Sequence, residues 1–286
     1  MLSGATSNRV FEIGDLECRV LNDGSRTVGS MTKDSAKKFI FGDAPEADLD
    51  ACLRPYGGFD SSTVLPFNYL LVSGRDHITL LDAGCGDQAE NEKYPDEPAG
   101  FLVRSLAEAR LSVEDVDTVI ISHCHWDHFG GAVVGGEVAF PNAEYLMSEK
   151  EANHIRVNVK GWALDYLNLI GDRSRFINDV SEANPGITVK PAPGHTPGII
   201  VVEVTSGGET LLYMSDIIIH QVHVEHTNWI PSFETDHLAA ETSRRSLIEE
   251  AHRRNLLLFV PHIPTNLGRV ELRARDSGYK WIDAHI

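Results

Sequence analysis

Residues 116–131 read VDTVIISHCHWDHFGG, and this stretch decides how the rest of the chain is read. The run 116–121 has the apolar, β-branched composition of a buried strand. It ends in His123-Cys124-His125-Trp126-Asp127-His128. In α/β folds the loops at the carboxyl ends of strands collect functional groups, so these side chains are expected in one such loop. There His123 and His125 can converge on one point while Asp127 and His128 turn toward a second. Imidazole is the commonest protein ligand for metals. Two imidazoles and a third ligand can hold Zn²⁺ with a coordination position left open for water.

Outward from this loop, three further candidate ligands follow strand-like segments. Pro193-Gly194-His195-Thr196-Pro197-Gly198 sets a histidine in a rigid turn, Tyr213-Met214-Ser215-Asp216 ends a strand with a carboxylate, and Val260-Pro261-His262 ends another with a histidine. Each alone has a bland reading as a turn or cap. Together they compose two adjacent coordination shells.

The remaining elements give an α/β pattern without a linker or an internal repeat. Strands are expected at 10–21, closing at a turn Asn22-Asp23-Gly24, and at 64–73, 77–82, 187–190, 199–204, 210–214 and 256–260. Helices are expected from about 102 to 109, from Ser148 to about 170 and from an Asp236 cap to about Arg254. Residues 24–60 carry no sustained period and read as an irregular flap or cap. A single layered domain over 1–286 is the expectation.

Composition sets limits on function. The chain has 286 residues, 13 of them histidine, with 25 Lys and Arg against 42 Asp and Glu, for a formal net charge of −17. Nucleic-acid binders concentrate basic charge, so a nucleic-acid partner is disfavoured and a neutral small molecule is favoured. Four scattered cysteines imply no disulfide framework. No apolar leader and no span of 18 apolar residues is visible, so a cytoplasmic protein with no membrane partner is expected. A homodimer is left open.

The motifs Leu81-Asp82-Ala83-Gly84, His123-x-His125-x-Asp127-His128, Gly130-Gly131, Gly194-His195-Thr196-Pro197-Gly198, Asp216 and His262 resemble those of the metallo-β-lactamase superfamily. The resemblance implies an αβ/βα sandwich with the site on one edge. It implies one metal held by His123, His125 and His195, a second by Asp127, His128 and His262, and Asp216 bridging them. Asp216 argues against the antibiotic-hydrolysing branch, which lacks it. The C-terminal segment resembles the branch of N-acyl-homoserine lactonases and methyl-parathion hydrolases. Lactonases of that branch commonly carry a Tyr three residues after the bridging Asp, whereas here the residue is Ile219.

Two Zn²⁺ ions are the expected cofactors, because the shells are rich in imidazole and carboxylate without thiolate; Mn, Fe and Co also suit such ligands. The implied reaction is attack of a metal-bridging hydroxide on a small neutral lactone or ester, with Asp127 and Asp216 as the catalytic carboxylates. Alternatives are phosphotriester hydrolysis or hydrolytic dehalogenation of an aromatic compound, and, more remotely, a mononuclear-iron sulfur dioxygenase. Trp126, His223, Trp229 and Phe233 are the candidate substrate-pocket residues. His220 and His226 are further candidates from the same histidine run, and Trp162 is read as packing.

Overall fold

The computed structural model describes residues 9–28, 31–88, 99–273 and 278–284. Its first half builds a seven-stranded sheet. The strands in chain order are β1 (Val10–Ile13), β2 (Leu16–Thr27), β3 (Val64–Ser73), β4 (Ile78–Leu81), β5 (Thr118–Ile120), the small ribbon β6 (Val133–Val134) and β7 (Glu137–Val138), β8 (Glu144–Ser148) and β9 (Ser174–Ile177). All but the ribbon lie in the spatial order β1-β2-β3-β4-β5-β8-β9. A second seven-stranded sheet follows in sequence order: β10 (Ser181–Asn184), β11 (Ile187–Pro191), β12 (Ile200–Ser206), β13 (Glu209–Tyr213), β14 (Leu257–Phe259), β15 (Leu267–Leu272) and β16 (Tyr279–Asp283).

Apolar alternation along these strands explains the layering. Val20, Leu70, Leu81, Ile120 and Leu146 of the first sheet meet Val189, Val202, Leu211, Tyr213 and Phe259 of the second in a buried layer. The opposite face of the first sheet packs under α4 (Leu102–Glu108), through Leu102 and Leu106, and under later helices through Ala152, Ala163 and Leu167. The opposite face of the second sheet packs under the 18-residue helix His237–Arg254, through Leu247, Ile248 and Ala251. Helices therefore flank two facing sheets, the αβ/βα arrangement.

Residues 24–60 depart from the expected irregular flap. Strand β2 runs on to Thr27, residues 29–30 lie outside the described residues, and the segment beyond them carries α1 (Lys33–Phe41), α2 (Glu46–Leu53) and α3 (Gly58–Ser62). The helices are short and interrupted, which is why no period shows in the sequence. Thr32 caps α1 by accepting from the Ser35 amide, and Gly42 ends it. Ile40, Phe41, Leu49 and Leu53 share a small core with Ile219, Val222 and Trp229.

Asn22-Asp23-Gly24 is likewise a bulge in β2, not a turn. The Asn22 Oδ1 accepts from the Gly24 amide at 3.1 Å, and Asp23 points inward to accept from the amides of Cys85 and Leu102 at 2.7 and 2.5 Å. The actual reversal lies at Gly14-Asp15 between β1 and β2. The helix expected from 148 to 170 is broken in two, because Lys160 adopts a positive φ of 57° after a π-turn over Ile155–Val159. Among the described residues no helix is long and apolar enough to cross a membrane.

Candidate metal centre

Parallel pairing aligns the strand ends that carry the site. Strand β4 pairs with β5 (Leu81 opposite Ile120), and β13 pairs with β14 (Tyr213 opposite Phe259). The segments leaving these strands, Asp82, Ser122–His128, Ser215-Asp216 and Pro261-His262, therefore emerge on one edge of the sandwich. The Ile200 amide donates to the Ser122 carbonyl at 3.0 Å and ties the two sheets together there.

His195 reaches the same edge from the turn after β11. At Gly194 φ is 145°, and a Cβ would stand 2.2 Å from the Ala240 nitrogen, so only glycine fits where this turn crosses the start of the long helix. The Asp236 amide donates to the Gly194 carbonyl at 2.9 Å and the Thr235 amide to the His195 carbonyl at 3.1 Å.

The seven predicted ligands come together in two groups. His123, His125, His195 and Asp216 form one, and Asp127, His128 and His262 the other. In the first, His195 Nε2 lies 3.2 Å from His123 Nε2 and 2.9 Å from His125 Nδ1, with 3.1 Å between the last two. In the second, the Nε2 atoms of His128 and His262 lie 3.3 Å apart. Asp216 divides its carboxylate between them. Its Oδ1 is 3.0 Å from His128 Nε2 and 3.1 Å from His262 Nε2, while Oδ2 faces His195 at 3.4 Å and His123 at 3.8 Å. Asp127 Oδ2 stands 3.8 and 3.7 Å from His128 and His262.

The outer nitrogens explain why these groups suit cations. His262 Nδ1 lies 3.0 Å from the Pro66 carbonyl, His195 Nδ1 lies 3.0 Å from Glu234, and His128 Nδ1 lies 2.7 Å from Asp82. A carbonyl or carboxylate oxygen only accepts, so each Nδ1 carries a proton, and each Nε2, turned toward Asp216, is left to hold a second proton or a metal ion. Nitrogens and carboxylate oxygens crowded at this range need positive charge among them, as protons or as metal cations. Nitrogens around a tetrahedral Zn²⁺ would be spaced by about 3.3 Å, close to the spacings here. The donor set thus fits two metal ions, with outer partners of the kind that orient metal-bound imidazoles.

The electrostatics point the same way. Burial alone would lower the basicity of His128, His195 and His262, yet carboxylates outweigh it and raise all three: Asp216 and Asp82 for His128, Glu234 for His195, and Asp216 for His262. Burial opposes the charge on Asp216, but His128 and His262 overcome it and hold the carboxyl well below its usual range. Burial keeps His123 and His125 well below the ordinary imidazole value, hence neutral and able to ligate. The positive charge that the carboxylates draw onto this edge is the charge a metal cation would bring.

Several supporting residues carried no site assignment in the sequence reading. Asp82, buried and at φ 67°, accepts from the Ser122 amide at 2.7 Å, the Ser122 hydroxyl at 2.8 Å and the Tyr213 hydroxyl at 2.7 Å besides its contact with His128. Buried Glu151 accepts from the Cys124 amide at 2.9 Å, the Thr196 hydroxyl at 2.7 Å and the Gly198 amide at 3.0 Å, joining the two ligand loops. Cys124 is buried and free of disulfide. Glu234 lies one residue after Phe233 and gave no motif signal.

Beside the clusters lies a cavity of about 190 Å³, lined by His125, Asp127, His195, Asp216 and His262 and walled by Trp126, Phe233, Phe39, Phe67, Leu65, Ile219 and Arg26. Trp126 and Phe233 therefore stand in the cavity wall. His223 and Trp229 do not. His223 is fully buried, with Nε2 at 3.1 Å from the Ile40 carbonyl and Nδ1 accepting from the Ile219 amide at 3.3 Å, so it joins the helical segment to the loop after Asp216. Trp229 stacks on His226 at 3.9 Å between ring centroids, and His220 packs edge-on against Phe41 and Tyr56. Trp162 packs on Phe129 and Tyr166.

Two facing sheets flanked by helices, with paired His and Asp clusters on one edge, define a protein built around a candidate dinuclear metal centre. The chain belongs to the metallo-β-lactamase superfamily, whose family model matches residues 63–262. It is similar to an N-acyl homoserine lactonase of Bacillus sp., 31% identical over 115 residues, which are 39% of this chain and 42% of that protein. The matched stretch thus spans about two fifths of that curated relative. Among solved structures it is similar to AidC, a dizinc quorum-quenching lactonase in complex with a product N-hexanoyl-L-homoserine, at 25% identity, 99% coverage of both chains and a TM-score of 0.85. It also shares its fold with the hydrolase AbOPH of the beta lactamase superfamily, at 22% identity, 98% coverage of both and a TM-score of 0.82.

Proposed function

We propose that the chain is a metal-dependent hydrolase that opens a small, neutral lactone or ester. The observation that carries the reading is the division of Asp216, one oxygen toward each histidine cluster, which supports two metal positions side by side. Two divalent cations there, zinc by the ligand chemistry, supply a hydroxide nucleophile at neutral pH and Lewis acidity toward a carbonyl oxygen. His123, His125 and His195 hold the first position, and Asp127, His128 and His262 the second.

Asp127 and Asp216 also reach the cavity. An ionised carboxylate there can orient the nucleophile and accept its proton. The apolar walls Phe39, Leu65, Phe67, Trp126, Ile219 and Phe233 suit an uncharged acyl group. At about 190 Å³ the cavity fits a short chain better than a long one. The lactonase relatives and the net charge of −17 support the same substrate class.

A second reading, hydrolysis of an aryl phosphotriester, is favoured by one observation: four aromatic rings and the aliphatic Ile219 line the cavity, and none of these five offers a hydroxyl to a lactone carbonyl. The test is elemental analysis of protein purified without added metal, followed by turnover of short and long N-acyl-homoserine lactones, aryl esters and aryl phosphotriesters. Two metals per chain and turnover of short-chain lactones are expected. A stoichiometry near one would reject the two-metal reading, and turnover of phosphotriesters alone would replace the lactone.

A further inference from the structure

The first cluster rests on a buried chain of polar contacts that leads away from the cavity. His195 Nδ1 donates to Glu234 Oε2 at 3.0 Å, and the other oxygen, Oε1, accepts from Arg244 Nη2 at 3.1 Å. Arg244 is fully buried on the helix His237–Arg254. Three of its four other N–H groups go to main-chain carbonyls: Nε on Ile217 at 2.7 Å, and Nη1 on Thr227 at 3.0 Å and Trp229 at 3.2 Å. The guanidinium is thus held at four points, and the planar fork can turn in no direction without breaking one of them.

We infer that Arg244 is a positioning residue for the first metal cluster, acting through Glu234 to fix the ring orientation of His195. The inference rests on the metal reading of the site. A carboxylate with a single hydrogen bond from His195 could rotate about its own torsions. Bound also by Arg244, Glu234 presents Oε2 in one place, and the His195 Nε2 lone pair keeps one direction. The same guanidinium closes the loop 217–229, whose Ile219 stands in the cavity wall, so the wall and the ligand share one anchor. A bulky aliphatic residue could fill the space but could satisfy neither Glu234 nor the three carbonyls.

The test uses the full chain stripped of metal and titrated with Co²⁺ alone, followed by visible absorption and competition with a chelator. Glu234→Gln and Arg244→Met are each expected to weaken Co²⁺ binding by about 10–100-fold, the range for loss of an outer partner of a ligating histidine. Arg244→Lys should fall between Arg244→Met and the wild type. Leu247→Ala is the control, because Leu247 packs in the apolar core under the same helix and takes no part in the hydrogen bonds of the polar chain. It should lower the melting temperature and leave Co²⁺ affinity within about threefold.

Unchanged affinity in Glu234→Gln and Arg244→Lys would overturn the proposal even where Arg244→Met fails to fold. Equal loss in Leu247→Ala would overturn it too, by reducing the effect to general destabilisation. A wild-type chain that binds no Co²⁺ would overturn it together with the metal reading, whereas wild-type binding with unchanged variants overturns it alone.

Discussion

Two sets of histidines in this molecule, buried except for the half-buried His226, do opposite things. His123, His128, His195 and His262 each turn one nitrogen outward to a protein oxygen, on Ser122, Asp82, Glu234 and Pro66 respectively, and the other inward to a shared centre. His220, His223 and His226 follow Asp216 closely in sequence, yet each satisfies itself locally: His220 against Phe41 and Tyr56, His223 on the Ile40 carbonyl, His226 on Trp229 and toward the Cys52 sulfur at 3.3 Å. Carboxylates make the difference. Asp216, Asp82 and Glu234 raise His128, His195 and His262, while burial depresses His220 and His223 and, within the first set, His123. A buried imidazole near carboxylates attracts a cation, and one among apolar rings and carbonyls is a neutral packing piece.

Substitution at Asp216 should break the first set most severely. Asp216→Asn replaces an anion shared by both clusters, so metal affinity and turnover should fall by more than the roughly 100-fold upper limit expected of an outer partner. Elemental analysis with lactone hydrolysis checks this, and retained metal content with full turnover would contradict the assignment.

A milder change removes the carboxylate that holds His128 from outside. Asp82→Asn keeps a residue that tolerates the positive φ of 67° but weakens the hold on His128 Nδ1. Metal affinity is expected to drop by about 10–100-fold, read by chelator competition.

His223→Ala probes the second set. It leaves the Ile219 amide and the Ile40 carbonyl without their partner, so stability should fall by about 1–3 kcal/mol, read by chemical denaturation. Metal stoichiometry should be unchanged, and loss of one equivalent would place His223 in the wrong set.

The smallest effect is one of pH. Burial pushes His220 down to about 3, against an ordinary value of 6.5, so the folded state resists a proton that the unfolded chain accepts. The contribution of this residue is complete above about pH 6.5 and declines as pH falls toward 3, with a slope of at most about 1.4 kcal/mol per pH unit. Tyr56, which faces it, is pushed up to about 12, mainly by burial, and stays neutral across that window. Melting temperatures from pH 7 to 4 should therefore fall less steeply in His220→Phe than in the wild type, and identical slopes would remove His220 as a cause.

The comparison also marks what could be read along the chain. The loop at 123–128 was legible because its ligands are adjacent in sequence and follow an unmistakable strand. His195, Asp216 and His262 were legible because each ends a strand or sits in a Pro-Gly turn. Asp82 stood within a quoted motif, but nothing local said that it would hold His128, 46 residues away. Glu234 and Arg244 carried no signal, since a Glu before a helix and an Arg within one are ordinary on a surface. The three short helices between 33 and 62 escaped because each is too brief to show a period and gains its order from a core shared with residues 219–229. The hairpin of β15 and β16, where Val270 faces Trp281, escaped because its strands are half exposed and only weakly patterned.

Strand periodicity and turn chemistry act over a few residues, so the ligand-bearing ends of the buried strands were open to reading along the chain. Tertiary structure decided which histidines face a shared centre and which face a carbonyl or a ring. That choice depends on carboxylates and backbone oxygens brought in from distant parts of the chain. Burial strengthens every such contact by removing water, so an imidazole's role follows from its neighbours in space and not from its neighbours in sequence.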